Sequence, residues 1–575
     1  MKKQMDIRAV VGTDRLGRAL PAAGEVPAPR KDKYVGIFYF ICLDQKGTDG
    51  PYDVEKILAA DPTAAWDEKN PLWGPINGAG HHWGEPLFGY YFTRDEWVIR
   101  KHIEMLSYAD VDFLVFDTTN RLIYKNDVLK IMRILDEYVQ TGVRVPKVAF
   151  MTNTLSGETV NELYREIYAA GKYPDTWFYW EGKPLIIGIP EQCSPEARDF
   201  FTFRISQWPN EDQKQDGFPW MEFIRPQRVF RTRTGEAEII NVSVAQHPNV
   251  AHSDAAFYGE TDAWGRSYHN GAQDVRFGAV DWGFNVSEQW DYALSKDPKI
   301  IFLTGWNEWT AGRWAWDRVS EMSYTVSNEE GQTVHYHRPS RPYINHTFCD
   351  CCTEEYSRDI EPMKGGYFDS YYFQMISRIR AFKGMPDMPA DEMPAVEQDW
   401  SDGISYSDYP FGSAHRSCRG FGKNFYENTS GVNDIREMTV SASSRALRFT
   451  ASCAADVVRT GSWMRLFLNV GDGRTTAPSG YEYVANFGKA EDDLTYLAKW
   501  DGQAYVPVCS IPMSVEGGTV TLTLPRRALG IADGAAASLS FKWADQAGDC
   551  PTVEDFYTQG DTAPYGRLSY RYEVR

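Results

Sequence analysis

Two carboxyl groups follow long apolar runs, in positions where an acid or a base can act on a bound molecule. Glu308 has Trp306 and Trp309 on either side, and Asp117 follows the apolar run 111–116. A pair of carboxyl groups can cleave a glycosidic bond, one protonating the leaving oxygen and the other acting as base or nucleophile. Because apolar neighbours keep a carboxyl protonated near neutral pH, the two tryptophans favour Glu308 as the acid.

A third carboxyl group, that of Glu85, lies in a segment rich in histidine and tryptophan. His81, His82 and Trp83 precede it, and such side chains suit hydroxyl recognition and stacking on a sugar ring. The alternative is that His81 and His82 hold a metal ion together with His247, as in a metal-dependent hydrolase or lyase. We favour the first interpretation, which needs neither a metal nor a cofactor.

Further polar side chains follow other apolar runs and complete the predicted binding site. Barrel enzymes carry their functional residues just beyond the carboxyl ends of the strands, which is where these residues fall. Structural alternatives exist as well, because Asp117 can shape the turn that follows it and Glu308 can pair with an arginine such as Arg313. The predicted substrate-binding residues are His81, His82, Trp83, Asn120, Asn153, His247, Asp254, Trp306, Asn307 and Trp309.

The elements that would position these residues alternate between buried strands and helices over residues 34–383. The run 34–41 is apolar throughout, as in a strand buried on both faces of a parallel sheet. Seven or eight strand–helix units predict an α/β fold, specifically a (β/α)8 TIM-type barrel, with the eighth strand not located. A doubly wound open sheet is the alternative, but no glycine-rich phosphate loop follows the first strand.

Three further segments complete the predicted organisation. Residues 1–33 form an extended lead-in, and residues 384–396 form a proline-rich linker. Residues 397–575 contain short alternating stretches separated by turn residues, which predicts an antiparallel β-sandwich. Trp500 and Trp543 in that part either stack on sugars or, as is more common for such residues, pack in the core.

Composition limits the partners and the compartment. The chain of 575 residues carries a formal net charge of −19, which argues against nucleic acid and anionic membrane surfaces as partners and leaves a glycan as the predicted one. Its nine cysteines are odd in number, so we expect free thiols, with a metal site in the Cys349–Cys352 cluster as the alternative. The polar start of the chain predicts a cytoplasmic protein, or a periplasmic or secreted one if a leader has been removed.

The segment Ile300–Trp309 resembles the strand and Asn-Glu-Trp motif of glycoside hydrolase family 99 and its relatives, which include family 71. In family 99 the motif is Asn-Glu-Trp-x-Glu-Gly, and both glutamates act in catalysis on α-mannosides. Glu308 matches the first glutamate, whereas Ala311 stands where the second is expected. The family's Ile-Glu-Pro is matched by Ile360-Glu361-Pro362, after an insertion of about fifty residues.

This resemblance implies a barrel enzyme that hydrolyses an α-linked poly- or oligosaccharide, with Glu308 as one catalytic residue. Because the second glutamate of the motif is missing, another carboxylate takes its role, and Glu361, Asp117 and Glu85 are the candidates. The alternative is a non-catalytic barrel that has kept only a sugar-binding pocket. The C-terminal part resembles the carbohydrate-binding modules of bacterial glycosidases, and the oligomeric state stays open.

Overall fold

The computed structural model of the chain describes residues 2–43, 49–75, 80–246, 263–310, 313–314, 321–338, 347–348, 351–396, 399–471, 475–491 and 493–575. Two large sheets dominate these residues. The first is mostly parallel and comes from the N-terminal half of the chain, and the second is mostly antiparallel and comes from the C-terminal part.

Eight parallel strands form the first sheet. They are β1 (Tyr34–Tyr39), β2 (Phe113–Thr118), β3 (Lys147–Thr152), β4 (Lys183–Ile187), β5 (Thr202–Gln207), β6 (Gly217–Pro219), β7 (Ala237–Ser243) and β8 (Ile300–Thr304). From β1 to β6, neighbours in the chain are neighbours in the sheet, and β8 pairs with both β7 and β1. The sheet is therefore barrel-like and nearly closed, with its opening between β6 and β7.

A side chain spans that opening. Asn241 of β7 donates from Nδ2 to the carbonyl of Trp220, the residue after β6, at 2.9 Å. Two short antiparallel strands, Tyr179–Trp180 and Val229–Arg231, extend the sheet at β4 and β7. The predicted α/β fold is thus confirmed at the level of a nearly closed, mostly parallel sheet.

The clearest of the predicted strands, β2 and β8, are buried on both faces. Every residue of β2 and of β8 is buried, so both strands use apolar residues continuously instead of alternating them with polar ones. The strand left without a position is β6, which has only three residues, Gly217–Pro219. A strand so short, with a glycine and a proline, carries no periodic signal.

Helices connect and cover the strands. They are α1 (Val54–Ala60), α2 (Glu96–Tyr108), α3 (Lys125–Gln140), α4 (Ser156–Leu163), α5 (Pro195–Phe200), α6 (Phe284–Lys296), α7 (Ser370–Lys383) and α8 (Asp555–Thr558). A π-helical turn, Tyr164–Tyr168, extends α4. Short 3-10 turns lie at Pro62–Trp66, Pro71–Trp73, Pro174–Thr176, Pro190–Gln192, Ala279–Trp282, Glu354–Tyr356 and Arg526–Leu529.

The pattern Thr93-Arg94-Asp95-Glu96 predicts a helix capped by Thr93, but helix α2 begins two residues later than that cap would place it. Asp95 caps the helix, its side chain accepting from the N–H of Val98. Thr93 instead accepts from the N–H of Leu43 through Oγ1, at 3.0 Å. All but the first residue of α2 are buried, because the helix is covered by the barrel-like sheet and by the C-terminal part.

The second sheet has twelve strands, and one of them comes from the N-terminus. Lys3–Gln4 pairs in parallel with Ile404–Ser405 at one edge of the sheet. Val11 forms a further bridge with Ser569. The other strands are Ile404–Ser407, Ile435–Ala442, Ala446–Cys453, Arg465–Val470, Tyr483–Glu491, Leu494–Trp500, Tyr505–Glu516, Thr519–Pro525, Ala537–Asp545, Asp561–Ala563 and Tyr570–Val574.

Further two-stranded pairings lie outside the two large sheets. They are formed by Tyr52–Asp53 with His81–His82, Tyr268–His269 with Ala272–Gln273, Arg313–Trp314 with Thr347–Phe348, Met322–Ser327 with Thr333–Arg338, and Arg416–Arg419 with Phe425–Asn428. One hydrophobic cluster runs from Met5 through the barrel-like part to Val574. In the described part of the chain, no helix combines the length and the apolar character that a membrane crossing requires.

Candidate active site

Glu308 lies four residues beyond β8, at the carboxyl end of the barrel-like sheet, and is 8% exposed. Arg358 donates from Nη2 to its Oε2 at 2.5 Å. The backbone N–H of Glu308 donates to Asp359 Oδ1 at 2.6 Å. The side chain and the main chain of Glu308 are therefore held by two consecutive residues, which come from a segment that returns to the end of the sheet.

The guanidinium of Arg358 is fully buried and lies 4.8 Å from the ring centre of Trp220. A buried arginine requires a counter-charge, and the carboxylate of Glu308 provides one. Hydrogen bonds between two charged groups at this distance are among the strongest that side chains make. The sequence left open that Glu308 has a structural role and pairs with an arginine. Arg358 is such a partner.

Cys351 and Asp359 complete a buried group around the Glu308 carboxylate. Cys351 Sγ lies 3.9 Å from Glu308 Oε2. One sulfur or oxygen atom from each of the three residues lies within 4.8 Å of the other two. Burial raises the pKa of Asp359 to about 6, although the bond from the Glu308 N–H and the charge of Arg358 oppose the shift.

Asn307 and Trp306 attach this segment to β1. Asn307 accepts from the N–H of Phe40 through Oδ1 at 2.8 Å and donates from Nδ2 to the Phe40 carbonyl at 3.2 Å. The N–H of Trp306 donates to the carbonyl of Phe38 at 2.9 Å. The amide of Asn307 is thus engaged by main-chain atoms at the end of β1, which fixes Glu308 relative to that strand.

The indole rings on either side of Glu308 lie in the core. Trp309 stacks on Trp83, with ring centres 4.3 Å apart, and donates to Glu361 Oε2 at 2.5 Å. Trp306 packs edge-on against His102. All three indoles are fully buried, so none of them presents a ring face to a sugar in this structure.

The side chain of Glu361 is completely buried. Its Oε2 accepts from the hydroxyl of Tyr91 at 2.6 Å, and its Oε1 lies 3.0 Å from His102 Nε2. His102 Nδ1 is in turn 2.8 Å from the hydroxyl of Tyr39. Complete burial separates Glu361 from solvent, in contrast to the partly exposed Glu308.

Asp117 belongs to β2 and is separated from β8 by β1 alone. Its Oδ1 accepts from the N–H and from the hydroxyl of Thr119, at 3.0 and 2.7 Å. Asn120 donates to the hydroxyl of Tyr124 at 2.6 Å. Asn153, one residue beyond β3, is half-buried. These polar side chains share the carboxyl end of the sheet with Glu308.

His81 and His82 are buried in a two-residue parallel pairing with Tyr52–Asp53. His81 Nε2 lies 2.8 Å from the carbonyl of Trp73, and His82 Nδ1 lies 3.2 Å from the carbonyl of Gly80. Burial lowers the pKa of His82 to about 3, so its imidazole is neutral at physiological pH. The contacts of the two imidazoles with main-chain carbonyls stabilise the segment that precedes Glu85.

Glu85 is half-buried and lies between two lysines. Lys56 hydrogen-bonds to its Oε2, and Lys364 Nζ lies 3.4 Å from its Oε1. Burial acts to raise the pKa of Glu85, but the bond and charge of Lys56 and the charge of Lys364 outweigh it and hold the pKa below its usual range. The ionised form that results suits a base better than an acid.

Glu55 on α1 was not among the predicted residues. Its Oε1 accepts from the N–H of Glu354 at 2.8 Å, three residues after Cys351. Burial, followed by the charge of Glu354, raises the pKa of Glu55 to about 8. At neutral pH its side chain is therefore mostly a carboxylic acid, which is the form that a general acid requires.

Several predicted residues lie outside the described part of the chain. These are His247 and Asp254, together with Ala311 of the motif and Cys349 of the cysteine cluster. Because His247 is not described, the metal site that combines His81, His82 and His247 stays a prediction.

The eight cysteines of the described part are free thiols.

Sequence reasoning missed Arg358 and Asp359, and it named Cys351 only as part of a cysteine cluster, yet all three contact Glu308. Arg358 and Asp359 immediately precede the motif Ile360-Glu361-Pro362, so a signal for the segment existed. No pattern in the surrounding sequence distinguishes the role of Asp359 from that of Glu361, two residues later. Only the folded chain shows that the first touches Glu308 and the second touches His102.

Comparison with known proteins gives a distant structural likeness. No protein-family model matches the chain, and no curated protein matches it. Two solved structures of the family 99 endo-α-mannosidase from Bacteroides thetaiotaomicron, one of them in complex with bis-tris-propane, are 14% and 15% identical to it. The matches cover 61% of this chain and 97–98% of those chains, with a TM-score of 0.33.

Proposed function

We propose that this protein is a glycoside hydrolase that cleaves an α-linked poly- or oligosaccharide, with Glu308 as one of two catalytic carboxyl groups. The supporting observation is the ion pair of the partly exposed Glu308 with buried Arg358, at the carboxyl end of the barrel-like sheet. That end is where barrel enzymes carry their catalytic residues. The preference for an α-linked glycan rests on the sequence resemblance around Asn307-Glu308-Trp309.

In this proposal Glu308 acts as the nucleophile or the base, and not as the acid that its tryptophan neighbours suggested. The charged bond from Arg358 is made to a carboxylate and is weakened when that group takes up a proton. Asp359 holds the backbone of Glu308 and, being completely buried, acts as a positioning residue.

Asp117 is the second carboxyl group that we favour. It lies at the end of β2, and β1 alone separates that strand from β8, so the two main chains are roughly 10 Å apart at two strand spacings. Carboxyl groups that reach inward from such positions can bracket a glycosidic bond, since catalytic pairs are ~5–10 Å apart. Glu85 and Glu361 remain weaker candidates because one is bound by two lysines and the other is sealed from solvent.

Glu55 is an alternative for the acid. Its pKa of about 8 keeps it mostly protonated at neutral pH, as a general acid requires. Its contact with Glu354 links it to the same chain segment that holds Glu308. Substitution of each group by its amide separates the two candidates.

We also propose that the barrel-like sheet is a (β/α)8 barrel and that the C-terminal strands form a β-sandwich accessory domain for glycan binding. The bond of Asn241 across the opening between β6 and β7 supports barrel closure. In the C-terminal part, Trp543 is fully buried whereas Trp500 is half-buried. Trp500 is thus the better candidate for stacking on a sugar.

The test is hydrolysis of a panel of aryl α- and β-glycosides and of oligosaccharides by the wild type, Glu308→Gln, Asp117→Asn and Glu55→Gln. We expect Glu308→Gln to lose ~10²–10⁴-fold in kcat because it can no longer act as nucleophile or base. Glu437→Gln, at an exposed position of the C-terminal sheet, is the matched control. Azide added to Glu308→Ala should restore turnover and yield a glycosyl azide of inverted configuration.

Full activity in Glu308→Gln would refute the assignment. If the wild type cleaves none of the substrates but still binds oligosaccharides in calorimetry, the non-catalytic carbohydrate-binding alternative is correct. If activity is present and disappears with a chelator, the metal-dependent alternative is correct.

A further inference from the structure

We propose that Glu308, Cys351 and Asp359 form a binding site for a zinc-type divalent cation, and that the bound ion blocks the carboxylate of Glu308. The three residues bring one thiol and two carboxyl groups together in the interior, at the carboxyl end of the barrel-like sheet. This inference concerns metal binding and regulation, and its test by spectroscopy does not depend on the proposed hydrolysis.

The spacing of the donor atoms suits a zinc ion. Zinc–sulfur and zinc–oxygen bonds of ~2.0–2.3 Å place ligand atoms roughly 3.3–3.8 Å apart around a tetrahedral centre. Cys351 Sγ is 3.9 Å from Glu308 Oε2, and the donor atoms of all three residues lie within 4.8 Å of one another. Side-chain movements of less than an ångström, on the order of a rotamer adjustment, bring them to bonding distance.

One oxygen of the group lacks a partner that a buried carboxylate needs. Asp359 is completely buried, and its Oδ2 has no hydrogen-bond partner among the described residues. Its Oδ1 is already bonded to the Glu308 N–H. Because a buried polar atom without a partner destabilises the folded chain, an ion bound at this oxygen would relieve that penalty.

The charges also balance. A divalent ion with one thiolate and two carboxylates has a net charge of −1, and the guanidinium of Arg358 at Glu308 Oε2 cancels it. The thiol proton of Cys351 leaves to solvent when the sulfur binds the ion. A mixed set of thiolate and carboxylate ligands favours zinc or cobalt over magnesium and calcium, which prefer oxygen ligands alone.

Three protein ligands leave one tetrahedral position for water, and Glu308 is 8% exposed. An ion that takes the Glu308 carboxylate competes with its use as nucleophile or base. Zinc should therefore inhibit any hydrolysis that depends on Glu308, and a chelator should restore it.

The experiment is titration of the full chain with Co²⁺, followed by absorption spectroscopy. We expect a near-ultraviolet thiolate-to-cobalt charge-transfer band that saturates at stoichiometric metal and disappears when Zn²⁺ is added. Cys351→Ser should abolish the band, and Asp359→Asn should weaken binding at least ~10-fold. Cys193→Ser, which removes a buried thiol far along the chain, is the control and should leave the band unchanged.

Absence of the charge-transfer band in the wild type, or its persistence in folded Cys351→Ser, would overturn the proposal. Folding of each variant is checked by circular dichroism. Because the band is measured without substrate, a protein that binds cobalt but hydrolyses no glycan refutes only the proposed function. A protein that hydrolyses glycans through Glu308 without binding cobalt refutes only the metal site.

Discussion

At the scale of single residues, Glu308 forms an ion pair with the buried guanidinium of Arg358. Arg358 is completely buried and donates to Glu308 Oε2, so each group supplies a counter-charge to the other. Removal of one member of a buried ion pair is far more costly than replacement of both, because the remaining charge is left unpaired.

The two residues should therefore be strongly coupled in stability. We expect Arg358→Met to lower the free energy of unfolding by about 3–5 kcal/mol. The double variant Glu308→Gln with Arg358→Met should lose less than the sum of the two single variants. Urea unfolding of the three variants gives the coupling energy, and strictly additive losses would contradict the pairing.

The sequence allowed Glu308 to be proposed as a site residue because it closely follows a buried strand and lies in an Asn-Glu-Trp motif. Its partners could not be identified in the same way. Arg358 and Asp359 lie some fifty residues later, and an insertion separates them from the motif. Which of two nearby carboxylates, Asp359 or Glu361, faces the site is decided by the path of the chain and not by its local pattern.

At the scale of elements, the start of α2 combines two stabilising roles in one side chain. Asp95 caps the helix at the N–H of Val98 and pairs through Oδ2 with Arg416, which is buried. The sequence predicted this helix from a capping box, with Thr93 as the cap and Glu96 closing the box. It could not predict Asp95 as the cap, because Thr93 and Asp95 are both good capping residues and the contact with Arg416 is more than three hundred residues away.

Substitution of Asp95 tests the ion pair between α2 and Arg416 of the C-terminal part. Asp95→Ala should lower the free energy of unfolding by about 3–5 kcal/mol, because Arg416 loses its only carboxylate among the described residues. Asp95→Asn keeps the capping oxygen and removes the charge, so its loss should be smaller. Equal losses in urea unfolding for both variants would show that the cap at Val98 adds nothing, whereas no loss in Asp95→Asn would show that the pair with Arg416 adds nothing.

Strand β1 is shaped by a close approach at Gly36. A β-carbon at this position would overlap the ring of Phe113 on β2, which itself stacks on Phe178. Gly36→Ala should therefore lower the free energy of unfolding by roughly 1–3 kcal/mol through overpacking. Phe113→Leu in the same chain should recover part of the loss, and thermal melting of single and double variants measures it. No recovery would argue against a steric cause.

At the scale of the whole molecule, α2 carries an acid into the boundary between the barrel-like sheet and the C-terminal part. Glu104 is buried, and burial raises its pKa to about 8, with Lys101 opposing the shift and Asp561 adding to it. The charged groups that influence it are Lys101, Asp434, Lys542 and Asp561. In the unfolded chain its pKa returns to the ordinary value of 4.5.

Stability should therefore depend on pH through this residue. The folded chain binds a proton that the unfolded chain releases, so the contribution of Glu104 is fully present below about pH 4.5 and is lost as the pH rises through about 8. We expect the melting temperature of the wild type to fall more steeply over this range than that of Glu104→Gln. Glu437→Gln is the exposed control, and parallel curves for wild type and Glu104→Gln would refute the effect.

The pairing of Lys3–Gln4 with Ile404–Ser405, and of Val11 with Ser569, has a consequence for synthesis on the ribosome. During translation, Lys3–Gln4 cannot form this pairing until residue 405 has been synthesised, and Val11 cannot form its bridge until residue 569 has been synthesised. Domains usually fold in the order in which they emerge, yet here residues 3–11 wait for strands that are hundreds of residues away. Disruption of the Lys3–Gln4 pairing would thus interfere with a late step of assembly and not with an early one.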